Sequence, residues 1–172
     1  MSVNISYSKK INGKLKMNTV LFVNEKFNIN NIKNFITNSE HSYISDLLKN
    51  IDIKKNIFVF EVNSKRKIVL ISIKKDLKSY TIENLGAEFF GRVNYGKSSV
   101  YYLNSDSIIG KFENFLGHFL HGFKLKSYEF NKYKSKKEAR TISLNVYGNK
   151  NKPTLKNQLK FKALEHGTFY AR

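Results

Sequence analysis

The chain has 172 residues, 41% of them hydrophobic, and a formal net charge of +18, which suits one domain with its own core or one domain and an appendage. It has no cysteine, which excludes disulfide and thiolate chemistry and fits a reducing compartment. No apolar run approaches the roughly 18–20 residues that cross a bilayer, and the polar start MSVNISYSKKINGKLKMN lacks the apolar centre of a signal peptide, so the expectation is a soluble cytoplasmic protein with no membrane partner.

Val20 to Val23, VLFV, is a short apolar run. Residues 41–50 place Tyr43, Ile44, Leu47 and Leu48 on one helical face. Two β-rich runs follow, residues 56–63 and 67–74, and the Asn63-Ser64-Lys65-Arg66 stretch between them predicts a tight hairpin turn. Residues 81–94 predict a helix. Thr81 can cap it, Asn84 stands where a capping box prefers Glu or Gln, and Ile82, Leu85, Phe89 and Val93 form its buried stripe. Gly86 would cost stability inside that helix, so close packing against a neighbour is expected there.

Residues 98–104 predict a strand, and a long Phe-rich helix is predicted from Asp106 to about Tyr128. In it Phe112, Phe115, Leu116, Phe119, Leu120 and Phe123 recur at helical spacing. Residues 140–148 predict the last strand. Residues 148–154, GNKNKPT, are the clearest linker signal and hold the only proline, Pro153. Leu155, Leu159, Phe161, Ala163, Leu164 and Phe169 then predict a helix over 154–172, about 28 Å long at 1.5 Å per residue, with no stop signal after it. Strands alternating with helices predict an α/β fold, a mixed sheet flanked by helices on both faces, with the 56–74 hairpin as its antiparallel part.

The catalytic inventory is nearly empty. His118 and His121 lie three apart on a predicted helix, but zinc needs further ligands and no Cys or H-E-x-x-H pattern supplies them. They read as structural or solvent-facing, and His41 and His166 are isolated. The 13 acidic residues are scattered, and no G-x-S-x-G or G-x-G-x-x-G occurs. Gly91-x4-Gly96-Lys97-Ser98 satisfies the letters of a phosphate loop. A phosphate loop follows a strand and opens a helix, whereas these residues follow a predicted helix and open a predicted strand. The glycines therefore read as a helix C-cap and a turn. No catalytic and no metal-ligating residue is assigned.

Of the 31 basic residues 27 are lysine, spread along the chain, and this charge reads first as solvated surface. The strongest polyanion candidate is the basic stretch at 122–137, GFKLKSYEFNKYKSKK, with Lys124, Lys126, Lys132, Lys134, Lys136 and Lys137. Tyr128, Phe130 and Tyr133 could stack on bases there. The favoured alternative packs those aromatics and leaves the lysines in water.

Two segments carry a resemblance to the N-terminal region of the leucyl aminopeptidase (cytosol aminopeptidase) family. Residues 116–137 resemble its stretch in which a helix runs into Y-x-F-x-x-Y-K, here Tyr128, Phe130, Tyr133 and Lys134. Residues 163–172, ALEHGTFYAR, are similar to the helix leading from the N-terminal into the catalytic domain, and residues 81–94 resemble a family helix with a small-residue core. One departure is visible: Lys74-Lys75-Asp76 stands where many members have a glycine-containing turn.

The resemblance covers essentially the whole chain but only the first part of such an enzyme. It implies a macro-domain-like three-layer sandwich over residues 1–150, then a linker and the start of an interdomain helix over 151–172. It implies no cofactor here. The family's two divalent metals (Zn or Mn), its catalytic Lys and Arg and its bound carbonate belong to a C-terminal catalytic domain absent from this sequence. The implied role is assembly or regulation of a hexameric metallo-aminopeptidase, with that catalytic domain as partner, and in some members DNA binding. The alternative is a standalone basic module for nucleic acid or nucleotide.

Overall fold

The structure is a computed structural model that describes residues 2–10, 17–94, 98–128 and 141–171. Among the described residues six strands and four α-helices run in the order β1 (Ser2–Ser8), β2 (Asn18–Asn24), α1 (Asn38–Lys49), β3 (Ile57–Asn63), β4 (Arg66–Ile73), α2 (Ser79–Val93), β5 (Ser98–Asn104), α3 (Phe115–Lys126), β6 (Thr141–Tyr147) and α4 (Leu155–Tyr170). The strands form one sheet ordered β1-β6-β5-β2-β4-β3. Among the described residues only β3 and β4 pair antiparallel, joined by the hairpin turn predicted at residues 63–66.

The apolar runs in β2 and β4 follow from their central place. A strand covered on both faces has no polar side, so it reads as continuous hydrophobicity. Val20, Phe22, Val69, Ile71 and Ile73 enter the core under α2 and α3. Leu21, Val23, Ile68 and Leu70 alternate into a second core with Ile44 of α1 and Ile32 of the 3₁₀ turn Asn30–Phe35. Helices thus cover both faces of a three-layer α/β sandwich, as the alternation of elements implied.

Edge strand β1 is an element the polar reading of the N-terminus passes over. Its signal is strict period two: Val3 and Ile5 pack on the larger core, while Ser2, Asn4 and Ser6 alternate outward. It pairs in parallel with β6 along its whole length, from Ser2↔Thr141 to Ser8↔Tyr147.

Several boundaries differ from expectation. Helix α1 starts at Asn38 because Thr37 and Glu40 form a capping box: Thr37 Oγ1 accepts from Glu40 N (3.2 Å) and Glu40 Oε2 accepts from Thr37 N (2.9 Å). Thr81 is not a cap, since α2 begins at Ser79 behind Lys78 without a side-chain cap bond. Gly91 lies inside α2, whose C-cap is Asn94. Gly96 and Lys97 lie outside the described residues, yet the order helix-then-strand stands, with α2 ending at Val93 and β5 opening at Ser98. The Phe-rich helix begins only at Phe115. Before it the chain makes a 3₁₀ turn, Ser105–Ser107, and passes through left-handed Gly110 (φ +100°) and Asn114 (φ 54°), which a helix cannot contain.

Helices α2 and α3 meet through glycine, as Gly86 suggested. A Cβ on Gly86 would stand 1.9 Å from Phe119 O, and one on Gly122 would stand 1.9 Å from Glu83 O. This approach lets Phe89 pack on Phe119 and Phe123 at ring distances of 5.7 and 5.3 Å. Helix α4 departs furthest from its predicted apolar stripe. Of those six positions only Phe161 is buried, while Leu155 and Leu159 are 71% and 59% exposed. No described helix is long and apolar enough to cross a membrane.

Candidate functional site

Topology points to one place. From β2 the chain moves to β3 and β4 on one side, and from β5 it moves to β6 on the other. Open α/β sheets bind ligands outside the carboxyl ends of strands at such a switch point. Here β2 and β5 pair only from Asn18↔Tyr101 to Val20↔Leu103 and then separate.

The protein fills that crevice with its own groups. Ser107 Oγ accepts from Phe22 N (2.9 Å) and donates to Asn104 O (2.8 Å). Asp106 Oδ1 accepts from Asn149 N (2.8 Å) and Lys150 N (2.7 Å), so a carboxylate occupies a nest of adjacent backbone N–H groups that would suit an outside anion. Gly148 (φ +131°) permits this approach, since a Cβ there would meet Ser105 Oγ at 2.3 Å. Buried Asn104 donates to Tyr147 Oη (3.2 Å), and burial pushes that phenol's pKa up. Asp106→Ala would remove both bonds from exposed N–H groups that water can then reach, with an expected loss of about 0.5–1.5 kcal/mol in chemical denaturation.

Beside the crevice lies an open groove of about 420 Å³ along Ser79, Phe112, Glu113, Asn114, Asn157 and Lys160. His118 at its edge pairs with Glu83 (Nδ1 to Oε1, 2.8 Å), which links α3 to α2. Among the described residues no three His, Asp or Glu side chains converge as a metal site.

The six candidate lysines divide. Lys124 is engaged, its Nζ 2.7 Å from Glu165 Oε2 of α4. Lys126 is exposed at the end of α3. Lys132, Lys134, Lys136 and Lys137 lie outside the described residues. Tyr128 stacks on Phe169 of α4 (4.8 Å), in line with the packing alternative; Phe130 and Tyr133 also lie outside the described residues.

A second polar cluster, with buried His121 and Glu165, is one sequence reasoning missed. Between β1, α3 and α4, a pocket of about 160 Å³ is lined by Tyr7, His121, Lys124, Gln158, Lys162 and Glu165 among others. Glu165 is 5% exposed and His121 7%. Burial first, and then the Glu165 charge, raise the Tyr7 phenol to about 12. The sequence held part of the signal: His121 and Lys124 share an α3 face at i,i+3, and Glu165 follows Phe161 at i,i+4 on α4, but that the two faces meet is decided only by the packing.

No protein-family model matches the chain, and no curated protein matches it in sequence. Solved structures match it in fold. A lysine-to-glutamate mutant of tomato leucine aminopeptidase aligns over 96% of this chain and 36% of that one, at TM-score 0.64 and 12% identity. Cytosol aminopeptidase from Coxiella burnetii aligns over 94% of this chain and 31% of that one, at TM-score 0.54 and 12% identity. The macrodomain of Thermus aquaticus DarG aligns over 86% of this chain and 100% of that one, at TM-score 0.52 and 12% identity. The sandwich is therefore macro-like, and the chain spans about a third of the aminopeptidases it resembles.

Proposed function

We propose that this chain is the non-catalytic N-terminal domain of a leucyl-aminopeptidase-like metallopeptidase. Residues 1–150 would form its macro-like body, and 151–172 the linker and the start of the helix leading to the catalytic part. One observation carries the reading: nearly all of this chain matches about a third of two aminopeptidases. Helix α4 supports it, because it lies on the body through Phe161 and Glu165 and turns Leu155, Leu159 and Leu164 outward. In the complete enzyme two divalent metals, Zn or Mn, would supply the activated water that removes N-terminal residues from peptides. This domain would serve assembly, as a hexamer, or regulation.

The purified chain with added Zn²⁺ or Mn²⁺ should release no leucine from leucyl amide; release overturns the reading. The reading frame beyond Arg172 should continue into Asp, Glu and Lys residues able to form a metal site, and an immediate stop codon there would count equally against it.

A second reading, a standalone module for nucleic acid or nucleotide, draws on the full-length macrodomain match and the charge of +18. The filled switch-point crevice speaks against nucleotide there, which leaves the lysine surface. Micromolar DNA affinity held near physiological salt, and lost when Lys126, Lys132, Lys134, Lys136 and Lys137 are neutralised, would establish it. Its absence at that salt removes this reading.

A further inference from the structure

We propose that the pocket between β1, α3 and α4 binds a free α-amino acid, whose ammonium sits against the buried wall of His121 and Glu165 and whose carboxylate faces Lys162 and the Tyr7 phenol. The proposal rests on the pocket alone. Under the function proposed above, the ligand is of the class that the complete enzyme would release, but the site stands or falls without that reading.

Size sets the first limit. The pocket holds about 160 Å³, the space of roughly five liquid waters at about 30 Å³ each. Sites for drug-sized ligands run from about 300 Å³ upward. A single amino acid suits this pocket, and a nucleotide does not.

The inner wall is polar and short of partners. His121 and Glu165 are buried on facing helices. His121 Nδ1 is buried with no hydrogen-bond partner, and it faces Glu165 Oε1 at 3.6 Å, beyond hydrogen-bond length. Lys124 Nζ holds the other carboxylate oxygen, Oε2, at 2.7 Å and leaves Oε1 open. A buried polar atom without a partner is costly, so a group that supplies the bond is favoured there. An imidazole carrying its proton on Nε2 offers Nδ1 as an acceptor, and an ammonium between Nδ1 and Oε1 donates to both.

The outer part has the opposite character. Lys162 is exposed and has no ion pair among the described residues. The Tyr7 phenol keeps its proton to donate, since burial and then the Glu165 charge raise its pKa to about 12. The charges of Lys124 and Glu165 offset each other, which leaves Lys162 to be balanced by a ligand carboxylate. A bare amine would add a second unbalanced cation, and a bare carboxylate would leave His121 Nδ1 and Glu165 Oε1 unpartnered. A zwitterion serves both walls. Ile5, Leu120 and Phe161 line the remainder and suit an aliphatic side chain.

Amide NMR of the labelled chain, titrated with L-leucine to about 10 mM, tests this in the millimolar range expected of so small a ligand. Shifts at the Tyr7, His121, Gln158 and Glu165 amides should saturate together. Leucinamide lacks the carboxylate and isocaproate lacks the ammonium, and each should bind about tenfold more weakly than leucine, the loss of one charge-assisted hydrogen bond. Lys162→Ala should weaken leucine by about tenfold and leave leucinamide unchanged. Glu165→Gln should weaken leucine and leucinamide and spare isocaproate. Should that buried variant fail to fold, exposed Lys162→Ala and the two analogues still decide. No saturating shift with leucine, isocaproate binding as tightly as leucine, or Lys162→Ala binding leucine as the wild type does would each overturn the site.

Discussion

Gly122→Ala is expected to lower the unfolding free energy by about 3 kcal/mol or more, at the upper end of overpacking effects. The added Cβ would lie 1.9 Å from Glu83 O and 2.5 Å from Glu83 C. Those atoms belong to the backbone of α2 and cannot rotate aside as a side chain would. Relief requires the two helices to separate, and separation opens the Phe89, Phe119 and Phe123 cluster that fixes α2 on α3. Gly86→Ala should behave alike, since its Cβ would meet Phe119 O at 1.9 Å. Helix propensity acts the other way, favouring Ala by about 1 kcal/mol, so the sign of the result separates the two effects. Gly91→Ala is the control: it lies in the same helix as Gly86, and a Cβ there meets nothing within 4 Å. It should be neutral or stabilising by up to about 1 kcal/mol. Urea unfolding of the three variants measures this, and a Gly122→Ala protein as stable as the wild type would refute the close helix contact.

Arg66→Ala should cost about 3–5 kcal/mol, the range for removing one partner of a buried ion pair. Arg66 is 2% exposed and Glu40 7%, although Arg66 opens a strand and Glu40 sits in the first turn of α1. The Arg66 Nε and Nη2 groups donate to Glu40, Nη2 at 3.3 Å, and Nη1 donates to Met17 O at 2.8 Å. The same carboxylate closes the capping box with Thr37 N. Removing Arg66 leaves that charge buried under α1 with its Thr37 bonds alone.

The pair also sets an acid limit. Burial pushes the Glu40 carboxyl up, but the Arg66 and Thr37 hydrogen bonds and the Arg66 charge outweigh it, so its pKa lies below the ordinary value. A depressed folded pKa gives stability that is full above the unfolded value, about 4.3, and fades as pH falls through the folded one. The wild-type urea midpoint should therefore drop on acidification below about pH 4, and Glu40→Gln, already less stable, should show a shallower drop. Parallel pH profiles for the two proteins would contradict this account.

The sequence by itself determined the layers. VLFV at 20–23 and the largely apolar run IVLISI at 68–73 are continuous because both faces of a central strand are covered, and that pattern needs no knowledge of partners. The hairpin turn at 63–66 is equally local, and the cost of a glycine inside a helix marks Gly86 as a point of close approach, although the partner it meets, Phe119 of α3, is set by the packing. Only the tertiary structure decided the rest. β1 is a strand because β6, some 139 residues away, offers it a ladder. α3 starts at Phe115 because the chain leaving β5 first turns through Ser105–Ser107, where Ser107 holds Phe22 of β2 and Asp106 holds the 149–150 amides that follow β6. α4 carries exposed leucines and a buried Glu165 because its own Phe161 seats on the ring of His121 and its Glu165 meets His121 and Lys124 of α3. Periodicity states that a helix has an apolar face; which face is buried, and which charges meet inside, depends on where distant segments are placed.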